Sequence, residues 1–378
     1  LLFPDYLRSL WAVGTTQFDD YGLIKKGNGM QAWTTTPGRA GSGLVQNVPE
    51  PELAEGAVLV QTSSIGVCGT DRDILAGQYG QAPEGSNYLI LGHESLGRVL
   101  TAPAESGLGA GDLVVGVVRR PDPIPCANCA VGEWDMCRNG MFTERGITRR
   151  HGYGSERFRV EPEFVIKIAP SLSGVGVLLE PASIVAKAWE QIERIGSRAL
   201  FKPERVLVTG AGPVGLLAAL LGSQRGLEVH VLDRVTDGIK PDLVKQLGAH
   251  FHSGSASEAC PDADIVIECT GAGQIVIDAM RSTRRGGIVC LAGISSGVRE
   301  IRFDVAAFNQ GMVLENDVVF GSVNANMRHY SIAAEALERA DVEWIERIIT
   351  RRVPLARWSD VLDHDPSRDA KSIIQFAH

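Results

Sequence analysis

Cys68, His93 and Glu180 offer a thiolate, an imidazole and a carboxylate. Three such donors can hold a zinc ion while leaving a fourth position open to water or substrate. Cys68 begins Cys68-Gly69-Thr70-Asp71, shortly after the apolar run Ala57-Val58-Leu59-Val60-Gln61-Thr62. His93 follows 25 residues later in Gly92-His93-Glu94, and Glu180-Pro181 lies much farther on. Singly, each has a plainer reading, since a lone Cys is more often buried filler and a lone Gly-His-Glu a surface turn. A second set is denser. Cys126, Cys129 and Cys137 fall within twelve residues of a proline-rich loop, which is the spacing of a structural zinc lobe. A closed tetrahedral site needs four ligands, and no fourth cysteine is nearby. Asp122 is the best candidate, whereas Glu133 and Asp135 lie inside the last loop and are poorer. The alternative is three reduced loop thiols without metal.

A third constellation binds no metal. Val206-Leu207-Val208-Thr209 runs into Gly210-Ala211-Gly212-Pro213-Val214-Gly215, and a leucine- and alanine-rich helix start follows. This is the strand–turn–helix opening of a dinucleotide-binding unit. Gly210 allows the tight turn, Gly212 lets backbone approach a pyrophosphate, and Gly215 lets helix and strand pack closely. The helix N-terminus, with Pro213 and Val214 in its first turn, offers N–H groups to the phosphates. Asp233 ends the next apolar run, 18 residues after Gly215, where a carboxylate can accept hydrogen bonds from an adenosine ribose. A carboxylate there repels a 2′-phosphate and predicts NAD. The adjacent Arg234, helped by Lys240, can accommodate that phosphate, so NADP use is also open.

The elements that must position these groups fall into two textures. From Gln31 to about Ile168 the text is strand-rich, punctuated by glycine and proline, with runs such as Leu113–Val118 and Phe164–Ile168. Apolar residues at helical spacing first occur over Pro181–Ile195. Strand and helix then alternate from Val206 through Asp233, Ile265–Cys269 and Gly287–Leu291 to Asp317–Gly321, the pattern of a doubly wound parallel sheet. Helical text follows at Tyr330–Arg339 and Glu343–Arg351. The fold class is α/β. We expect residues 1–29 to be a non-native leader before a natural start at Met30. Residues 30–188 form the first part of a catalytic domain, 189–323 the Rossmann domain and 324–378 the return segment.

Bulk properties narrow the function class. The chain has 378 residues, 44% hydrophobic and 22% charged, with a net charge of −8 and no basic tract, which argues against a nucleic-acid partner. No run approaches the ~20 apolar residues of a membrane span. An odd count of seven cysteines, three of them crowded together, suits metal binding in a reducing, cytoplasmic setting.

Taken together, Gly66-Val67-Cys68-Gly69-Thr70-Asp71, Gly92-His93-Glu94, the cysteine lobe and the late Rossmann unit resemble the zinc-dependent medium-chain alcohol dehydrogenases, from Met30 to His378. Within them the sequence is most similar to the archaeal-type glucose dehydrogenase branch. That likeness rests on Asp71-Arg72-Asp73, Val118-Arg119-Arg120-Pro121, Glu144-Arg145-Gly146-Ile147, Leu179-Glu180-Pro181 and Gly321-Ser322-Val323-Asn324. The resemblance implies a GroES-like catalytic domain beside the Rossmann domain. It implies a catalytic zinc at Cys68 and His93, with Glu180 a direct or water-mediated partner and Glu94 an alternative ligand or outer neighbour. Asp71 would orient the zinc histidine and Thr70 would hydrogen-bond the reacting hydroxyl, while Glu144 and Asn324 would hold sugar hydroxyls. Two positions depart from the family: Pro123 stands where the lobe's first cysteine falls, and Ile184 where some sugar-binding relatives carry an Asp. The implied reaction oxidises an aldose at C1 to its lactone, with hydride transfer to NAD(P). Rival readings are another polyol, secondary-alcohol or threonine dehydrogenase of this family, or a nucleotide-binding sensor without catalysis. Relatives are homodimers or homotetramers, often paired through the nucleotide-sheet edge near Gly321.

Overall fold

The computed structural model describes residues 29–295, 300–363 and 365–377. Residues 1–28 of the expected leader lie outside them. Two large sheets organise the chain. The first runs, in spatial order, through strands Val165–Lys167, Leu113–Gly116, Glu94–Thr101, Val58–Val67, Lys371–Gln375 and Ile349–Pro354, with Arg157–Val160 also pairing to Val58–Val67. Its inner positions are apolar and buried: Val58, Val60, Ile65, Leu96, Val114, Ile373 and Ile374 among them. The central strand needs a glycine where it crosses the site. Gly66 stands opposite Glu94, and a Cβ there would lie 1.9 Å from a Glu94 carboxylate oxygen.

The second sheet is parallel throughout and has six strands. In spatial order they are His250–His252, Glu228–Leu232, Arg205–Thr209, Ala263–Glu268, Thr283–Leu291 and Val318–Gly321. Numbered along the chain this is 3-2-1-4-5-6, the order of a dinucleotide fold with its switch point beside the first strand. The first strand buries Val206, Leu207 and Val208 and ends in the buried Thr209, and helix Pro213–Gln224 behind it is buried over eight of its residues. Gly215 makes that contact feasible, because a Cβ there would meet the Gly210 carbonyl oxygen at 1.8 Å.

Helix Leu179–Gly196 joins the two sheets and packs on helix Met327–Glu338. It is continuous through residues 188 and 189, so the expected boundary falls inside a rigid element. Two further differences concern helices. Helix Val342–Ile348 stops three residues before the expected Arg351, because Ile349-Thr350-Arg351-Arg352-Val353 leaves it to pair with the last strand. Helix Val305–Glu315 was not expected. Its apolar residues lie all round and none is buried, so it lacks the one-sided periodicity that betrays a helix in sequence.

Candidate active site and metal centres

Cys68 directly follows the central strand of the first sheet and caps helix Gly69–Leu75. Its sulfur accepts the Thr70 N–H at 3.3 Å, and Asp71 Oδ2 returns the bond to the Cys68 N–H at 3.0 Å. His93 enters from the strand alongside, and its Nε2 lies 3.0 Å from Cys68 Sγ. Its other nitrogen faces Asp71 Oδ1 at 3.3 Å, the outer contact that sets a ligating imidazole's orientation. Burial opposes a charged ring here, but the Cys68 sulfur and Asp71 outweigh it and raise His93 well above its usual pKa. Glu180, in the first turn of the linking helix, closes the third side. The donor atoms of His93, Glu94 and Glu180 lie within 4.8 Å of one another, as do those of Cys68, Asp71 and His93. Burial pushes the Glu180 carboxyl up to about 7. The two donor groups share His93, and Cys68 and Glu180 fall in different ones; a thiol, an imidazole and a buried carboxylate around that histidine are donors of the kind that fit a zinc ion.

The two carboxylates differ in their company. Glu94 is in a buried ion pair with Lys371 Nζ, from the last strand of the first sheet. Sequence reasoning missed Lys371, whose only signal is a lysine opening a short strand built around Ile373 and Ile374. Thr70 is half-buried at the rim, and its hydroxyl makes no hydrogen bond among the described residues.

Glu144 and Asn324, expected separately, meet. Asn324 Nδ2 donates to Glu144 Oε1 at 2.5 Å across 180 residues of sequence. Asn324 is held with φ +65°, a left-handed conformation that Asn tolerates. Glu144 is buried, and Arg119 grips the same oxygen through Nε at 3.1 Å and Nη2 at 2.9 Å. Beneath them Lys187 Nζ donates to the Val323 carbonyl at 2.8 Å and pairs with Asp135 at 2.9 Å. Asp135 also takes the Asn326 side-chain amide at 2.7 Å. Lys187 and Glu180 share the linking helix, and Gly146 backs onto Gly92. The polar cluster and the zinc donors therefore share one frame. The role of Arg119 and Lys187 was not legible, because neither is near its partners in sequence.

In the lobe the sulfurs of Cys126, Cys129 and Cys137 lie within 4.8 Å of one another. The Arg138 and Cys129 N–H groups aimed at Cys126 lower its thiol to about 6, a donor ready for a soft cation. The structure does not bring Asp122 into that group. Its Oδ1 accepts the Ile124 N–H at 2.8 Å, Oδ2 is buried without a partner, and its own N–H lies on the Cys129 sulfur. Glu133 and Asp135 are engaged elsewhere, Glu133 with Arg194 at 3.1 Å and Asp135 as above.

At the switch point, Gly210 (φ +91°), Gly212, Asp233, Arg234, Lys240 and Thr270 line a cleft of about 450 Å³. A Cβ at Gly212 would meet nothing within 4 Å, so that glycine leaves space to a ligand rather than to the fold. Pro213 is the first residue of the helix and Val214 its second. Asp233 Oδ2 accepts the Ala211 N–H at 2.6 Å and Oδ1 the Val235 N–H at 2.9 Å, while Lys240 Nζ stands 4.0 Å away. Arg234 is exposed on the rim, with no ion pair among the described residues.

Comparison with known proteins agrees in both halves. A model described as "Alcohol dehydrogenase GroES-like domain" matches residues 54–170, and one described as "Glucose dehydrogenase C-terminus" matches residues 173–376. Glucose 1-dehydrogenase of Methanocella arvoryzae is 38% identical over 358 residues, 92% of this chain and 99% of that protein. That of Thermoproteus tenax is 36% identical over 354 residues, 92% and 99% of the two chains. Among solved structures, Haloferax mediterranei glucose dehydrogenase in complex with NADP, Zn and gluconolactone matches with a TM-score of 0.84 and 31% identity, covering 92% of this chain and 100% of that one.

Proposed function

This chain belongs to the zinc-dependent medium-chain alcohol dehydrogenases, in the branch of the archaeal-type glucose 1-dehydrogenases, and from its site we propose how it acts on its sugar. The reaction is oxidation of an aldose, glucose in the first instance, at C1 to the aldonolactone with hydride transfer to NAD(P). The carrying observation is the Glu144–Asn324 pair held beside the zinc donors, since a small alcohol needs no such second polar cluster.

Cys68, His93 and Glu180 would hold the zinc, which supplies a Lewis acid for the oxygen that loses its proton. Asp71 holds His93 by Nδ1 in the orientation in which Nε2 faces the Cys68 sulfur, and Nε2 is the nitrogen that would be offered to the metal. Lys371 occupies Glu94 as its countercharge, which leaves Glu94 in the outer role rather than as a ligand. Thr70, at the rim with an uncommitted hydroxyl, takes the proton from the C1 hydroxyl and passes it toward solvent. Glu144, fixed by Arg119, accepts hydrogen bonds from sugar hydroxyls, and Asn324 presents its amide beside it. The three lobe cysteines would take a structural zinc whose fourth ligand this chain does not bring up from Asp122.

Gly210, Gly212, Gly215 and the first turn at Pro213 and Val214 seat the pyrophosphate. Asp233 receives the ribose hydroxyls of NAD, and Arg234 with Lys240 offers charge to the 2′-phosphate of NADP. Seven free thiols suit a reducing compartment, and we place the enzyme in the cytoplasm. No helix among the described residues is long and apolar enough to cross a membrane.

A panel of aldoses and simple alcohols, assayed by reduced-nicotinamide absorbance with each cofactor, tests the reading. Turnover led by glucose is expected. Turnover confined to short alcohols overturns it.

A further inference from the structure

We propose that Glu228, His230 and His250 form a peripheral binding site for a divalent transition ion, Zn²⁺ in the first instance, on the outer strands of the nucleotide sheet. Three of the chain's eight histidines gather there. Strands Glu228–Leu232 and His250–His252 are parallel neighbours, with His230 opposite His250 and Leu232 opposite His252. Residues two apart share a face of a strand, so 228, 230, 250 and 252 point the same way while Val229 and Val231 enter the core.

The donor geometry is close to assembled. Glu228 Oε1 lies 3.0 Å from His230 Nε2 and 3.8 Å from His250 Nε2, and the three groups fall within 4.8 Å of one another. The His230 and His250 rings are 4.9 Å apart at 30°. His252 supplies the outer partner, its Nε2 lying 2.9 Å from His230 Nδ1. A ligating imidazole needs its second nitrogen to donate, and His252 Nε2 can accept that proton. Arg205, the strand neighbour of Glu228, turns its guanidinium away to the Pro261 carbonyl at 2.9 Å. Two imidazoles and a carboxylate favour zinc, nickel or copper over magnesium or calcium. His250 is exposed, which leaves the remaining coordination positions to water.

The site reaches the cofactor cleft through the backbone. Asp233 directly follows this strand, and its N–H donates to the His252 carbonyl at 3.1 Å. An ion bridging the two strands would steady the end that presents Asp233.

The test uses the zinc-loaded enzyme as purified, titrated calorimetrically with further Zn²⁺ and counted by mass spectrometry. Wild type is expected to take one more Zn²⁺ per chain than His250→Ala or His230→Gln, with binding at that site weakened about tenfold or more in the variants. Added Zn²⁺ should raise Tm in wild type and not in the variants, and Mg²⁺ should raise neither. The exposed His250→Ala change keeps the fold if His230→Gln does not. Equal zinc counts and equal Tm shifts in wild type and His250→Ala, or an equal shift with Mg²⁺, overturn the proposal.

Discussion

Glu180 holds its carboxylate in the costliest surroundings of the zinc set. Its folded pKa, about 7, exceeds the ordinary 4.5, so the folded chain without metal keeps a proton that the unfolded chain releases. The stability this contributes is complete below about pH 4.5 and is lost as pH rises to about 7. Zinc needs the ionised form, so its affinity should climb over the same window. Thermal unfolding of chelator-stripped enzyme across that range should show Tm falling with pH, with added Zn²⁺ restoring it. A Glu180→Gln variant should lose that slope. At the sugar end, Glu144→Ala removes the acceptor gripped by Arg119 and leaves that guanidinium buried without its partner. We expect kcat/KM for glucose to fall by about 100-fold, roughly 3 kcal/mol, with zinc content unchanged by metal analysis. Arg234→Ala should weaken NADP use by about tenfold or more relative to NAD, read from paired kinetics. The donor residues were legible because short motifs carry them. Proximity in sequence says nothing of where the Asp122 carboxylate turns, and one of its oxygens caps a turn at Ile124.

The linking helix Leu179–Gly196 is the element on which both polar clusters depend. Glu190, one turn beyond Lys187, clamps it to helix Met327–Glu338 by accepting from Arg328 Nε at 2.7 Å and from His329 Nε2 at 2.7 Å. Burial opposes its charge, yet these two partners draw Glu190 down to about 2. Burial also lowers His329, so its bond to Glu190 comes from a neutral ring and Arg328 carries the ion pair. With a depressed pKa, the clamp contributes stability above about pH 4.5 and loses it as pH falls toward about 2. Glu190→Gln should cost about 1–3 kcal/mol at neutral pH and flatten the acid limb of a denaturant series. Both sheets were visible as text, because β-branched runs alternate with glycine turns in one half and with helices in the other. Helix Val305–Glu315 was not, since nothing in its apolar pattern points one way. The end of Val342–Ile348 was overrun because Ile348 and Ile349 suit a helix face and a strand equally.

At the scale of the molecule, helix Val305–Glu315 exposes Val305, Val313 and Leu314 and leads directly into the edge strand Val318–Gly321. An uncovered strand edge with apolar residues next to it invites a second copy. We expect a dimer through this edge, and Val313→Asp with Leu314→Asp should halve the mass seen by light scattering. An unchanged mass would place the contact elsewhere.

The pairing of Glu94 with Lys371 spans 277 residues. It sets an order on how the molecule is made. The nucleotide sheet is contiguous from Arg205 to Gly321 and can close while the ribosome is still extending the chain. The first sheet cannot, because its central strand waits for Lys371–Gln375 on one side. Until that strand arrives, Glu94 has a neighbour in Gly66 and no countercharge. The catalytic half is therefore the last to be completed, although five of its seven strands are synthesised before the nucleotide sheet begins.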